Sequence, residues 1–134
     1  GIAGALAGIL DCPIVPGFDE IALRVGLQDA IHRADVVLTG EGQLDAQTWY
    51  GKTVSGVVTA ARRKGRRVFA FAGRVDENAH DDCPPGVAVR AVTPPEMSFT
   101  DARPRAGALL TRAVAEEAPR ILEAALETSA PTRG

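Results

Sequence analysis

A chain of 134 residues and 14.0 kDa, 46% of it hydrophobic, is sized for one domain with a core of its own. A formal net charge of -2 and a pI near 5.7 give no general attraction to nucleic acid or to an anionic membrane surface, so neither is expected as a partner. One Trp, one Tyr and four Phe are too few for stacking platforms on nucleobases.

The opening stretch, residues 1–10, is apolar but stops at Asp11, about half of the ~20 residues a membrane-spanning helix needs. No basic region precedes it, as a secretory leader would require. Gly1, Gly4 and Gly8 share one face of the predicted helix. That face serves either close packing on a neighbour or presentation of backbone to a ligand. Because the chain opens directly in this pattern and without Met, it is expected to be the C-terminal part of something longer. Cys12 and Cys83 form neither a disulfide framework nor a paired metal-ligand spacing, which fits a reducing cytoplasm.

Pro13 and the Pro16-Gly17 pair then interrupt the chain before a second predicted helix over 18–34, with Ile21, Val25 and Ile31 as its core contacts. The run Val36-Val37-Leu38 reads as a short buried strand over 35–39. A polar loop over 40–48 follows it. Gly40 and Gly42 let that backbone turn and lie close to a ligand, while Glu41, Asp45, Gln47 and Thr48 supply carboxylate, amide and hydroxyl groups.

Val54, Val57, Val58 and Ala61 repeat at helical spacing and predict a helix over 52–64, ended by Gly65. Residues 67–73 and 86–92 read as two further buried strands, the latter reached through a turn-rich segment over 76–85. A strand, helix, strand unit with a short return makes the first two strands parallel with a right-handed crossover. Ser98 and Thr100 are candidate caps for a last helix from Asp101, with Leu109, Leu110, Ala113 and Val114 on one face and Pro104 in its first turn. Pro119 should kink or restart it before Ile121 and Leu122, and residues 128–134 read as a loose tail after a unit over 1–127. The expected fold is therefore α/β, a parallel Rossmann-like sheet with flanking helices. Three strands leave exposed edges, so more strands are expected from elsewhere.

Ligands of open parallel sheets bind at the carboxyl ends of the strands, where loops over 40–48, 73–78 and 93–98 converge. These offer Glu41, Asp45, Gln47, Asp76, Glu77, Thr93 and Ser98, rich in oxygen and poor in cations. Such a set suits Mg²⁺ or a carboxylate that accepts a hydroxyl proton. Two phosphate motifs fail. Gly51-Lys52-Thr53 ends like a P-loop, but position 46 is Ala46 and no strand directly precedes the motif; Gly40-Glu41-Gly42 lacks the third glycine of a dinucleotide fingerprint, having Asp45 there. Lys52 serves either as a solvated lysine or as a phosphate contact at a helix start. The basic run Arg62, Arg63, Lys64, Arg66 and Arg67 reads as a solvated helix end, and His80 with Cys83 as a surface turn.

The opening Gly1-Ile2-Ala3-Gly4-Ala5-Leu6-Ala7, the Pro16-Gly17-Phe18-Asp19 turn, the run over 34–52 and the later Gly56-Val57, Ala70-Phe71-Ala72-Gly73 and Pro95-Glu96-Met97-Ser98 together resemble the bacterial glycerate kinases of the first type. The specific part is Thr39-Gly40-Glu41-Gly42 through Asp45, Gln47-Thr48 and Gly51-Lys52. The resemblance implies an incomplete, C-terminal part of a two-domain kinase that phosphorylates glycerate with ATP and Mg²⁺ in the cytoplasm, with the N-terminal part of the kinase as a partner and a homo-oligomer allowed. Under it, Asp45 and Glu41 are the catalytic and metal-binding acids, while Thr39, Gly40, Gly42, Gln47, Thr48 and Lys52 contact substrate or nucleotide. The chain departs from the family in a less glycine-rich opening helix and in Val54, where a proline is usual.

Overall fold

The computed structural model describes residues 2–11, 13–50 and 53–129. Three strands, β1 (Val36–Leu44), β2 (Arg67–Val75) and β3 (Val87–Ala91), form one parallel sheet in the order β1-β2-β3. Six helices accompany it among the described residues: α1 (Ile2–Leu10), α2 (Gly17–Arg24), α3 (Leu27–Arg33), α4 (Thr53–Arg63), α5 (Phe99–Ala102) and α6 (Ala106–Ser129). The expected α/β architecture is present, and all three strands lie near their predicted places.

Both faces of the sheet are covered, which is why β2 is a continuous apolar run rather than an alternating one. On one face Val37, Val68, Ala70 and Ala72 pack with Val54, Val58, Ala60 and Ala61 of α4 and with Ile31 of α3. Complete burial of a valine side chain is worth about 1.5–3 kcal/mol, so Val54 and Val58, each 1% exposed, anchor α4 firmly. Val54, in the place where the resemblance led one to expect proline, belongs to this core. On the other face Phe69 and Phe71 meet Ala113 and Ala124 of α6. Gly65, at φ 67, ends α4 in the left-handed conformation that glycine adopts without strain.

Four expectations are corrected. The helix predicted over 18–34 is two helices, because Gly26 at φ 67 breaks the chain between α2 and α3; of its expected core residues only Ile31 is buried, while Ile21 and Val25 are exposed. The strand predicted to end at Thr39 continues to Leu44, so Gly40, Glu41 and Gly42 are strand residues rather than loop residues. Parallel pairing of Gly40 with Phe71 and Glu41 with Ala72 holds them there. Pro119 does not restart α6, which runs through it as one helix, and Leu122 is exposed. Thr128 and Ser129, expected in the tail, close α6: Thr128 Oγ1 donates to Ala124 O at 3.1 Å, and the Ser129 hydroxyl donates to Asp35 Oδ1 at 3.0 Å.

The last helical region starts at Phe99, two residues earlier than predicted. Ser98 is its cap, its Oγ accepting from the Asp101 N–H at 3.2 Å. α1 is apolar all round, yet none of its residues is buried, and space is open around Gly4 and Gly8. Among the described residues, no helix is long and apolar enough to cross a membrane.

Candidate functional site

The carboxyl ends of β1 and β2 face a cleft of about 610 Å³ between the sheet and the start of α6. Leu38, Phe71, Val92, Leu110 and Val114 make its walls apolar, and Thr39, Gly40, Glu41, Gly42 and Gly73 bring β1 and β2 backbone to it. The glycines are sterically required at two points. A Cβ on Gly40 would strike the Phe71 carbonyl oxygen, and one on Gly73 would lie 2.5 Å from Gly42 O. The two strands therefore approach each other closely at the cleft floor.

The inside-outside alternation of β1 also breaks here. Leu44 packs in the same cluster as Val37, though an odd separation of seven residues would place it on the opposite face. Its partner Val75 does likewise relative to Val68. The break falls across Gly42 and Gly73, where two residues without side chains make such a twist cheap.

Glu41 is the acid this arrangement singles out. It is half-buried, lines the cleft, and its Oε1 is shielded from water without a hydrogen-bond partner. An orphaned carboxylate oxygen costs desolvation that a proton donor or a cation would offset. Asp45 lies beyond it, at the start of a 3₁₀ turn over Ala46–Trp49. Its backbone N–H donates to Thr48 Oγ1 at 3.1 Å, and the Thr48 hydroxyl donates to Asp45 Oδ1 at 3.2 Å. Thr48 is fully buried by this exchange, whereas Gln47 is exposed. The predicted residues thus divide: Thr39, Gly40, Glu41 and Gly42 line the cleft, and Asp45, Gln47 and Thr48 form the turn next to it. Lys52 and Gly51 lie outside the described residues.

The three predicted loops do converge. Gln43 Nε2 donates to both carboxylate oxygens of Asp76, at 3.1 and 3.2 Å, and the Asp76 N–H donates to Leu44 O at 2.9 Å. Trp49 Nε1 donates to Ala79 O at 2.8 Å, tying the turn after β1 to the one after β2. Val92 N–H and Thr93 N–H donate to Ala72 O and Gly73 O at 2.7 and 3.2 Å, fastening the loop after β3. Gln43 and Arg74 were missed from sequence. The available signal was a polar residue directly after the glycine at the carboxyl end of each buried strand.

Among the described residues, no group of three or more His, Cys, Asp or Glu side chains is arranged to hold a metal ion. Mg²⁺ typically takes only one or two protein carboxylates, with water and substrate phosphate completing its shell, so a site for it need not show such a group. Cys83 is half-buried with its thiol near Val87 O, and burial pushes the thiol pKa up, away from nucleophilic use.

Residues 1–122 match the profile of the glycerate kinase family. Among curated relatives, a glycerate kinase of Halalkalibacterium halodurans is 33% identical over 84% of this chain and 30% of its own length. A glycerate kinase of Bacillus subtilis is 29% identical over 90% of this chain and 32% of its own, and the glycerate 2-kinase of Escherichia coli K12 is 30% identical over 58% and 20%. This chain therefore spans no more than about a third of the relatives it matches. With the family profile extending over all but its last twelve residues, the chain belongs to the glycerate kinase family.

Proposed function

We propose that this chain carries the C-terminal part of the active site of a glycerate kinase, which transfers the γ-phosphoryl group of ATP to a hydroxyl of glycerate. The observation that carries the reading is Glu41, a cleft-lining residue at the carboxyl ends of parallel strands, beside the glycine backbone of the cleft floor, with one carboxylate oxygen that has no hydrogen-bond partner. Bound Mg²⁺ would neutralise the phosphate charge that develops during transfer. The Glu41 carboxylate would hold it, directly or through water. Asp45 accepts the proton of the attacking hydroxyl or positions that hydroxyl, and its contact with Thr48 orients the carboxylate for the purpose. Thr39, Gly40 and Gly42 keep the backbone near the ligand, Gln47 and Thr48 supply polar contacts, and Lys52 offsets phosphate charge. The reaction is assigned to the cytoplasm.

Because the chain spans about a third of its relatives, the remaining site groups belong to other segments of the kinase, and this chain alone has weak or no turnover. A second reading, a non-catalytic module that binds a small acid or nucleotide, is favoured by the engagement of Asp45 with Thr48 inside its own turn. The test is ADP release from MgATP with and without D-glycerate, by this chain, by Asp45→Asn and by the complete reading frame. Glycerate-dependent release by the complete frame that Asp45→Asn abolishes supports the kinase reading. Release unaffected by the substitution removes Asp45 from catalysis. No release by the complete frame leaves the binding module. Release by this chain alone would show that no further segment is needed.

A further inference from the structure

A cleft that takes an anionic substrate and has a carboxylate, Glu41, in its lining needs a cation to hold that substrate. The apolar cleft has no lysine or arginine among its described lining residues. The groove of about 340 Å³ beside it has one, Arg74, which directly follows the cleft residue Gly73 at the carboxyl end of the central strand. Other arginines on the sheet are already neutralised. Arg67 pairs with Glu127, and Arg90 shares Glu116 with Arg112. Arg74 makes no ion pair among the described residues, and the neighbouring Asp76 is occupied by the Gln43 amide. What positions Arg74 is the exposed ring of Phe99, whose centroid lies 5.9 Å from its Cζ. A cation–π contact of this length keeps the guanidinium near the ring without using its N–H donors.

We infer that Arg74 is the anion-holding residue of this site, donating its guanidinium fork to an oxyanion of the ligand. This deepens the kinase reading and rests on it. The oxyanion is the carboxylate of the acid substrate or a phosphate of the nucleotide, and both present the paired oxygens that the fork matches. Phe99 is a positioning residue acting through Arg74.

The experiment is titration calorimetry of the complete reading frame and its Arg74→Met and Arg74→Lys variants with D-glycerate, with MgATP, and with glycerol as the neutral counterpart of glycerate. Loss of a charge-assisted pair should weaken the anion by about 10-fold to 100-fold in Arg74→Met, with partial recovery in Arg74→Lys and no change for glycerol. Weakening confined to glycerate identifies the carboxylate, and weakening confined to MgATP identifies the phosphate; both uphold the inference. Unchanged binding of both anions by Arg74→Met overturns it while leaving the kinase reading intact. Equal weakening of glycerol, or a lowered melting temperature, shows a structural role and also overturns it. A complete frame, unsubstituted, that binds neither anion removes the site itself, and with it the reading on which Arg74 depends.

Discussion

On one face of the sheet Val37, Val68, Ala70 and Ala72 are no more than 9% exposed beneath α4; on the other, Leu38 and Leu110 remain 50% and 44% exposed around a cleft beneath α6. The same three strands supply both faces, so the difference lies in what covers them. α4 presents Val54 and Val58 at helical spacing and closes its face completely. α6 is buried at Ala113 and Ala124, while Ala106, Leu110 and Val114 line an open space over Gly40, Gly42 and Gly73. One face is thus a scaffold and the other keeps accessible volume at the strand ends. Binding chemistry on a rigid support has this division of labour.

The largest expected effect contrasts the faces directly. Leu44→Ala removes a fully buried side chain from the α4 cluster and should cost about 3–5 kcal/mol. Leu110→Ala, on the cleft wall, should cost less than about 1 kcal/mol because its surroundings are open to water. Urea unfolding of the two variants decides. Equal losses would show that the cleft wall is as tightly held as the core, and the comparison would collapse.

Next in size is Gly73→Ala. Its new Cβ would meet the Gly42 carbonyl, a backbone atom that no rotamer change can move aside, and overpacking of this kind costs about 1–3 kcal/mol. A variant that melts within about 2 °C of the parent would mean that β1 and β2 are not in close approach at the cleft floor.

Sequence carried the scaffold better than the site, for a physical reason. The face of α4, its glycine cap and the run of β2 follow from local patterns: helical spacing of Val54, Val58 and Ala61, Gly65 at the helix end, and five consecutive buried residues from Val68 to Ala72. The Gly40-Glu41-Gly42 stretch has turn composition, and only the ladder to β2 turns it into strand. That tertiary override moved Glu41 from an exposed loop into a strand beside the cleft, with one carboxylate oxygen orphaned. Arg74 was hidden similarly, since its value comes from Phe99, distant in sequence. In the other direction, Gly26 carried a break signal that the apolar spacing of Ile21, Val25 and Ile31 obscured.

A smaller effect tests the stitching between the loops. Trp49→Phe keeps the aromatic bulk but leaves Ala79 O without its indole donor, which should cost about 1 kcal/mol. The loss should appear as faster amide exchange in the turns after β1 and β2, with that of α4 unchanged. Exchange that rises uniformly would mean that the indole supports the core as a whole.

The smallest effect is electrostatic and lies on the α6 side. Glu116 takes hydrogen bonds from Arg112 and then Arg90, and these, with their charges, hold its carboxyl below the ordinary glutamate value. A group whose pKa is depressed by folding stabilises the native state above its unfolded value, about 4.3, and loses that contribution as pH falls through the folded value. The stability difference between the chain and Glu116→Gln should therefore be level above about pH 5 and shrink below about pH 4. Salt should reduce the same difference, because the partners are exposed and their attraction is screened. A difference that persists unchanged in strong acid would mean that Glu116 holds β3 to α6 by packing of its side chain rather than by its charge.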